Sequence, residues 1–166
     1  MHKATFMTDL GPVALEADDL GLTYVGLPGP DPKSRPAAGK QLPVNPLLRD
    51  AALQILEYLS GERTVFALPL SVAGTEFQEK VWQIIREIPY GATLSYGTIA
   101  RRLGGVAKAR AVGGAAHANR LPLFIPCHRV IGGDGSLTGF GSGLELKEKL
   151  LALERRQVSG PGRNAG

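Results

Sequence analysis

The chain of 166 residues has one cysteine, three histidines and one tryptophan, and no apolar run approaches the length of a membrane span. Each shortage excludes something. One cysteine rules out an internal disulfide, which fits a reducing compartment. His2, His117 and His128 are scattered, so no Cys/His cluster of zinc-site spacing exists, and neither a metal nor another cofactor is expected. The first residues, Met1-His2-Lys3-Ala4-Thr5-Phe6, lack the apolar core of a signal peptide, and a cytoplasmic location without membrane attachment follows as the expectation. Acids are missing from Ala92 to Gly133, whereas Arg101, Arg102, Lys108, Arg110, Arg120 and Arg129 fall inside that stretch. The formal charge of +4 is modest. Its local concentration makes nucleic acid the first partner to consider, against the plainer reading of a solvated basic face.

Polar and apolar patterning divides the chain into an N-terminal domain over 1–73, a C-terminal domain over 74–156 and a disordered tail over 157–166. Ala4-Thr5-Phe6-Met7 and Val13 to Ala17 read as a hairpin around Asp9-Leu10-Gly11-Pro12, with a third short strand between Leu20 and Leu27. Pro28 to Pro46 carries six prolines and reads as an irregular, mobile loop. Asn45-Pro46 opens a helix whose apolar face is Leu48, Ala51, Ala52, Ile55, Leu56 and Leu59. Phe66 to Leu70 is expected to form another strand. Beyond it the pattern is helical: Thr75-Glu76-Phe77-Gln78 fits a capping box, and Phe77, Val81, Ile84, Ile85 and Ile88 form one stripe.

Two short helical segments follow, Ser95 to Leu103 and Val106 to Ala118, separated by Gly104-Gly105. Helix, glycine turn, helix is a helix-turn-helix pattern, though many helical hairpins look alike. The second segment contains Gly113-Gly114, which weakens a helix and so calls for a reason. Close packing against a neighbouring helix is one; close approach to a nucleic-acid backbone in the minor groove is the other. Leu144 to Arg156 forms a last amphipathic helix, with Leu146, Leu150 and Leu153 inward and Glu145/Lys149 exposed. The expected fold class is α/β in the α+β sense: a small antiparallel sheet plus helix, then a mainly helical domain with a helix-turn-helix.

The single cysteine lies in Ile125-Pro126-Cys127-His128-Arg129-Val130. An isolated cysteine is most often a small buried apolar residue, and Leu121 to Ile125 reads as a buried strand leading to it. Cys, His and Arg in succession where that run stops favour a nucleophile, because the thiolate attacks and an imidazole can take its proton.

Pro126-Cys127-His128-Arg129-Val130, preceded by Arg110-Ala111-Val112-Gly113-Gly114-Ala115 and Asn119, and before them by Pro89-Tyr90-Gly91 and Ser95-Tyr96, resembles the O6-alkylguanine-DNA alkyltransferases. The similarity runs from about Thr75 to Glu154 with consistent spacing. It implies direct repair of double-stranded DNA: an alkyl group passes irreversibly from O6 of guanine, and from O4 of thymine, to Cys127, once per molecule. By the same resemblance His128 takes the thiol proton through a water, Glu154 orients His128, and Asn119 ties the turn that carries the cysteine. Tyr96 donates to the base, and Arg110 fills the stack left by the flipped nucleotide, since a stacked base cannot reach a protein thiol. Backbone at Cys127, Val130 and the loop 138–143 reads the base, and Lys147 stands beside that loop. Arg129 is expected to be a structural ion-pair residue. The resemblance implies a monomer, with cooperative assembly on DNA left open.

Three positions depart from the common pattern. Phe140 stands where some members have Tyr, Gly141 where others have Ser, and Arg120 where Pro commonly follows the asparagine. Two functions of other classes remain beside alkyl transfer. One is a non-catalytic sensor of alkylated DNA, against which Cys127 argues. The other is a Cys-His hydrolase with turnover, which leaves the basic helix pair unexplained.

Overall fold

The computed structural model describes residues 1–39, 41–137, 140 and 143–159. These form two compact units, one of residues 1–73 with 120–122 and one of residues 74–119 with the chain from 123 onward.

In the first unit, β1 (His2–Thr8), β2 (Gly11–Ala17) and β3 (Leu22–Gly26) make an antiparallel sheet in the order β1-β2-β3. Thr8 pairs with Gly11, so the hairpin turn is Asp9-Leu10, and Gly11 already belongs to β2. Alternation sends Val13, Leu15 and Ala17 of β2 inward against Leu48, Ala51, Ala52 and Ile55 of α1 (Pro46–Leu59). Asn45 caps α1 by accepting from the Leu48 N–H, and Pro46 fills the first helical position, where its missing donor costs nothing.

The proline-rich stretch is irregular apart from one 3-10 turn at Pro32–Ser34, but it is tied to the sheet. The Gly39 carbonyl accepts from the Met7 N–H of the edge strand at 3.2 Å, and Thr5 Oγ1 donates to the Ala37 carbonyl. Phe66 to Leu70 is not a strand; only Leu70 bridges to Leu22. The amide of buried Gln54 donates to the Ala67 carbonyl and accepts the Ala67 N–H, so a side chain meets the demand that a ladder would have met.

The second unit begins with α2 (Glu76–Arg86), where Thr75 and Gln78 form the capping box reciprocally. Val81, Trp82 and Ile85 are its buried face, and Trp82 Nε1 donates to the Ala115 carbonyl at 2.8 Å. A two-residue strand, β4 (Leu94–Ser95), leads into α3 (Tyr96–Arg102), which Ser95 caps. Gly104 and Gly105 then take φ of +128° and +142°, values that a side chain would oppose. The second helical segment is shorter than the pattern suggested. Val106–Lys108 is a single 3-10 turn, and α4 proper is Ala109–His117.

Leu121, Leu123, Phe124 and Ile125 are buried, yet the stretch turns and is not a strand, with Leu123 at φ +74°. A 3-10 turn at Cys127–Arg129 and β5 (Val130–Ile131) follow, and β5 pairs in parallel with β4. The last helix, α5, runs from Leu144 to Ser159. It therefore takes in residues 157–159, which were expected in the tail; the remainder of that tail lies outside the described residues. Leu146, Leu150 and Leu153 are buried as expected, and Leu151 joins them.

Candidate active site

Within the second unit, the β4–β5 pairing sets the geometry. Leu94 lies opposite Val130 and Ser95 opposite Ile131, so the start of α3 with Tyr96 is held beside the turn bearing Cys127. That turn closes on itself. Cys127 N–H donates to the Ile125 carbonyl, Arg129 N–H to Pro126 and Val130 N–H to Cys127. Asn119 Nδ2 donates to the same Ile125 carbonyl at 2.8 Å, and its side chain also hydrogen-bonds the Cys127 thiol. One asparagine thus fixes both the turn and the sulfur.

Cys127 is only 8% exposed. Burial pushes its thiol above the usual range, while the Asn119 hydrogen bond and the positive charge of Lys147 act in the opposite direction. Sulfur is therefore a thiol at neutral pH and needs a base to become a nucleophile.

His128 and Arg129, next in the chain, form a buried cluster with Glu154. His128 Nε2 is 2.6 Å from Glu154 Oε2. Arg129 grips the same carboxylate with Nε at 2.8 Å and Nη2 at 3.0 Å, and its Nη1 donates to the Ile88 carbonyl. The Gly91 N–H is a fourth donor to Glu154, at 3.1 Å, from a backbone at φ +82° that glycine adopts without strain. Burial alone would raise the Glu154 carboxyl, but the hydrogen bonds and charges of His128 and Arg129 outweigh it and bring it to about 2. Burial lowers the pKa of His128 despite its carboxylate partner, so the ring is neutral at pH 7.

An ionised carboxylate only accepts, so Nε2 must carry the proton in the His128–Glu154 bond. The neutral ring's basic nitrogen is then Nδ1. This arrangement turns histidine into an acceptor for a nearby acidic proton, with Glu154 fixing its tautomer.

Lys147 is fully buried on α5. Its Nζ donates to the Val130 carbonyl at 2.6 Å and lies 5.9 Å from the centre of the Tyr96 ring. Burial lowers its pKa, offset in part by Cys127. The structure thus groups Cys127, Asn119, His128, Arg129, Glu154, Val130, Lys147 and Tyr96 around one turn. Arg110 is separate, an exposed side chain at the second position of α4. Phe140 is half-buried, and Gly141 lies outside the described residues, as does most of the 138–143 loop. Gly91, a donor to Glu154, carries no signal in the sequence beyond the Pro89-Tyr90-Gly91 turn.

The glycines of α4 have no packing reason. Among the described residues a Cβ on Gly113 or Gly114 would meet nothing within 4 Å. Close helix packing therefore does not explain them. Among the described residues no three His, Cys, Asp or Glu side chains gather as a metal would need, and no helix is long and apolar enough to cross a membrane.

Residues 76–156 match the model of the 6-O-methylguanine DNA methyltransferase DNA binding domain, and residues 1–72 that of the family's ribonuclease-like domain. A methylated-DNA–protein-cysteine methyltransferase of Methanosarcina acetivorans is 42% identical over 154 residues, covering 93% of this chain and 98% of that protein. The protein of the same name from Mycobacterium leprae is also 42% identical, over 95% of this chain and 94% of its own length. Among solved structures, Mycobacterium tuberculosis OGT in complex with DNA superposes with a TM-score of 0.80 at 37% identity, covering 95% of this chain and 94% of that one. With both halves matched and the buried Cys-His-Glu arrangement in the matched C-terminal region, the chain belongs to the 6-O-methylguanine DNA methyltransferase family.

Proposed function

We propose that this protein repairs double-stranded DNA by moving an alkyl group from O6 of guanine to Cys127 Sγ, once per molecule. The observation that carries the proposal is a buried Cys127 followed in sequence by a buried His128 whose Nε2 is held at 2.6 Å by Glu154, in a chain of this family. The thiol proton passes through a water to His128 Nδ1, and the Nε2–H bond to Glu154 steadies the imidazolium that forms. A bond forms between Sγ and the alkyl carbon as the bond from that carbon to O6 breaks. Tyr96 donates to the departing base, and the proton lost by the thiol ends on guanine. The positive charge of Lys147 near the Tyr96 ring favours that donation.

The product is a thioether, which no group of the site can cleave, and the chain has no second thiol. One turnover follows from that chemistry, and no cofactor is needed to balance it. O4-alkylthymine presents the same kind of O-alkyl carbon and is taken as a second substrate.

DNA is approached through the helix-turn-helix of α3 and α4. The open space over Gly113 and Gly114 lets α4 sit close to the minor groove, and Arg110 fills the stack after the nucleotide turns out. Val130 and the backbone beside Cys127 read the base, with Lys147 holding the Val130 carbonyl in place. The working unit is a monomer.

Intact-protein mass spectrometry after incubation with a duplex containing O6-methylguanine tests this. The expected result is one added methylene on Cys127 and never two. Binding without an adduct would assign the chain to lesion sensing instead, and repeated turnover on an ester would assign it to hydrolysis.

A further inference from the structure

The second unit holds an open hollow of about 600 Å³ that shares no lining residue with the thiol site. Phe77 of α2 and Leu103 after α3 give it apolar walls, and Lys80, Arg102 and Lys108 bring three cations to it against one acid, Glu76. The Glu76–Lys80 contact, at 3.2 Å between neighbouring turns of α2, is largely exposed and is easily exchanged for another anion. Lys108 folds back over the glycine turn: a Cβ on Gly104 would stand 3.0 Å from its Nζ. Glycine at 104 thus leaves the ammonium room beside the hollow, immediately before α4.

We propose that this hollow seats a backbone phosphate of the same duplex that α4 approaches, with Lys80 of α2 and Arg102 at the end of α3 as phosphate contacts apart from the glycine face of α4. The proposal rests on the DNA-binding reading given above. Its basis is charge and shape. The cations come from three separate elements around an open space, which suits a polyanion passing over it. A small free anion would want an enclosed site with convergent donors. The long stems of Lys80 and Arg102 can cover Phe77 and Leu103 while their charged ends reach outward. Such contacts carry no base sequence and serve to fix register on the duplex.

The test is binding of an undamaged duplex by the full chain, followed by fluorescence anisotropy between 50 and 200 mM KCl. Each phosphate contact removed should take about 0.9 from the slope of log K against log salt. Lys80→Gln/Arg102→Gln should therefore have a slope shallower by about 2, with transfer from free O6-benzylguanine unchanged. Glu76→Gln should bind DNA more tightly at low salt. If the double variant misfolds, each single variant should still lose about 0.9. A parental slope in variants that still accept the benzyl group overturns the phosphate seat and leaves alkyl transfer untouched. Failure of the parent protein to become alkylated overturns the transfer reading, while the slope comparison stands on undamaged DNA. Inorganic phosphate that shifts the amide resonances around Lys80 and Arg102, with no change of DNA slope in the variants, would make the hollow a free-anion site and also overturn the proposal.

Discussion

His128 Nε2 lies 2.6 Å from Glu154 Oε2, with both side chains sealed from solvent. The pair predicts how stability depends on pH. Glu154 is lowered to about 2, so its contribution is fully present above the ordinary carboxyl range and is lost as pH falls toward 2. His128 is lowered as well: the unfolded chain takes up a proton near pH 6.5 that the folded chain resists. Both effects destabilise the fold on acidification, beginning below about pH 6.5. Chemical denaturation from pH 7 to pH 4 should show a steady loss of unfolding free energy. Glu154→Gln, which leaves the Arg129 charge buried without its carboxylate, should cost about 3–5 kcal/mol at pH 7. A variant as stable as the parent would show that the cluster does not hold the fold.

Cys127 predicts slow labelling. Burial raises its pKa, so at pH 7 the folded protein should react with iodoacetamide more slowly than the urea-unfolded chain. The folded rate should climb with pH until the thiol ionises. Transfer from free O6-benzylguanine should behave differently under the proposed mechanism, in which His128 is the base. Its acid limb should lie below pH 6.5, the ordinary histidine value, since the ring resists protonation. His128→Gln should slow transfer by about 10²–10⁴-fold, the usual worth of a positioned base.

Much of the candidate site was legible because its chemistry is contiguous. Cys127, His128 and Arg129 adjoin, and Asn119 and Tyr96 lie upstream in motifs that resemble one family. Glu154 is different. Twenty-six positions separate it from His128, and a glutamate on a terminal helix looks solvated until the fold buries it beneath four donors. Local pattern also misled at two apolar runs. Phe66 to Leu70 has strand composition, but the Gln54 side chain pairs the Ala67 backbone from across the unit. Leu121 to Ile125 looks like a buried strand, but Leu123 adopts positive φ and turns the chain, a conformation rarely read from a leucine. The helix starts were legible because Asn45, Thr75 and Ser95 cap through their own side chains, an interaction closed within three residues.

The proposed stack-filling role of Arg110 predicts that chemistry and DNA handling can be separated. Its side chain is exposed on α4, away from the Cys127 turn's hydrogen bonds. Arg110→Ala should therefore leave transfer from free O6-benzylguanine near the parental rate while slowing repair of O6-methylguanine in duplex DNA by tenfold or more, about 1.4 kcal/mol. Single-turnover kinetics on the two substrates measures the difference. Equal losses on both would remove the stack-filling role.

Gly113 and Gly114 set stability against function. Each sits inside α4, where glycine costs about 0.5–1 kcal/mol relative to alanine, and neither has a neighbour among the described residues that a methyl group would strike. Gly113→Ala and Gly114→Ala should each raise stability by roughly that amount, read as a higher melting temperature. If the bare helix surface exists to approach the minor groove, the added bulk should weaken duplex binding although the fold has gained. Gly114→Leu should weaken it further, with transfer from the free base unchanged. Reduced DNA affinity in a more stable protein has no packing explanation among the described residues, since none of them lies within reach of the added atoms. Unchanged affinity in all three variants would mean that α4 does not approach DNA through this surface.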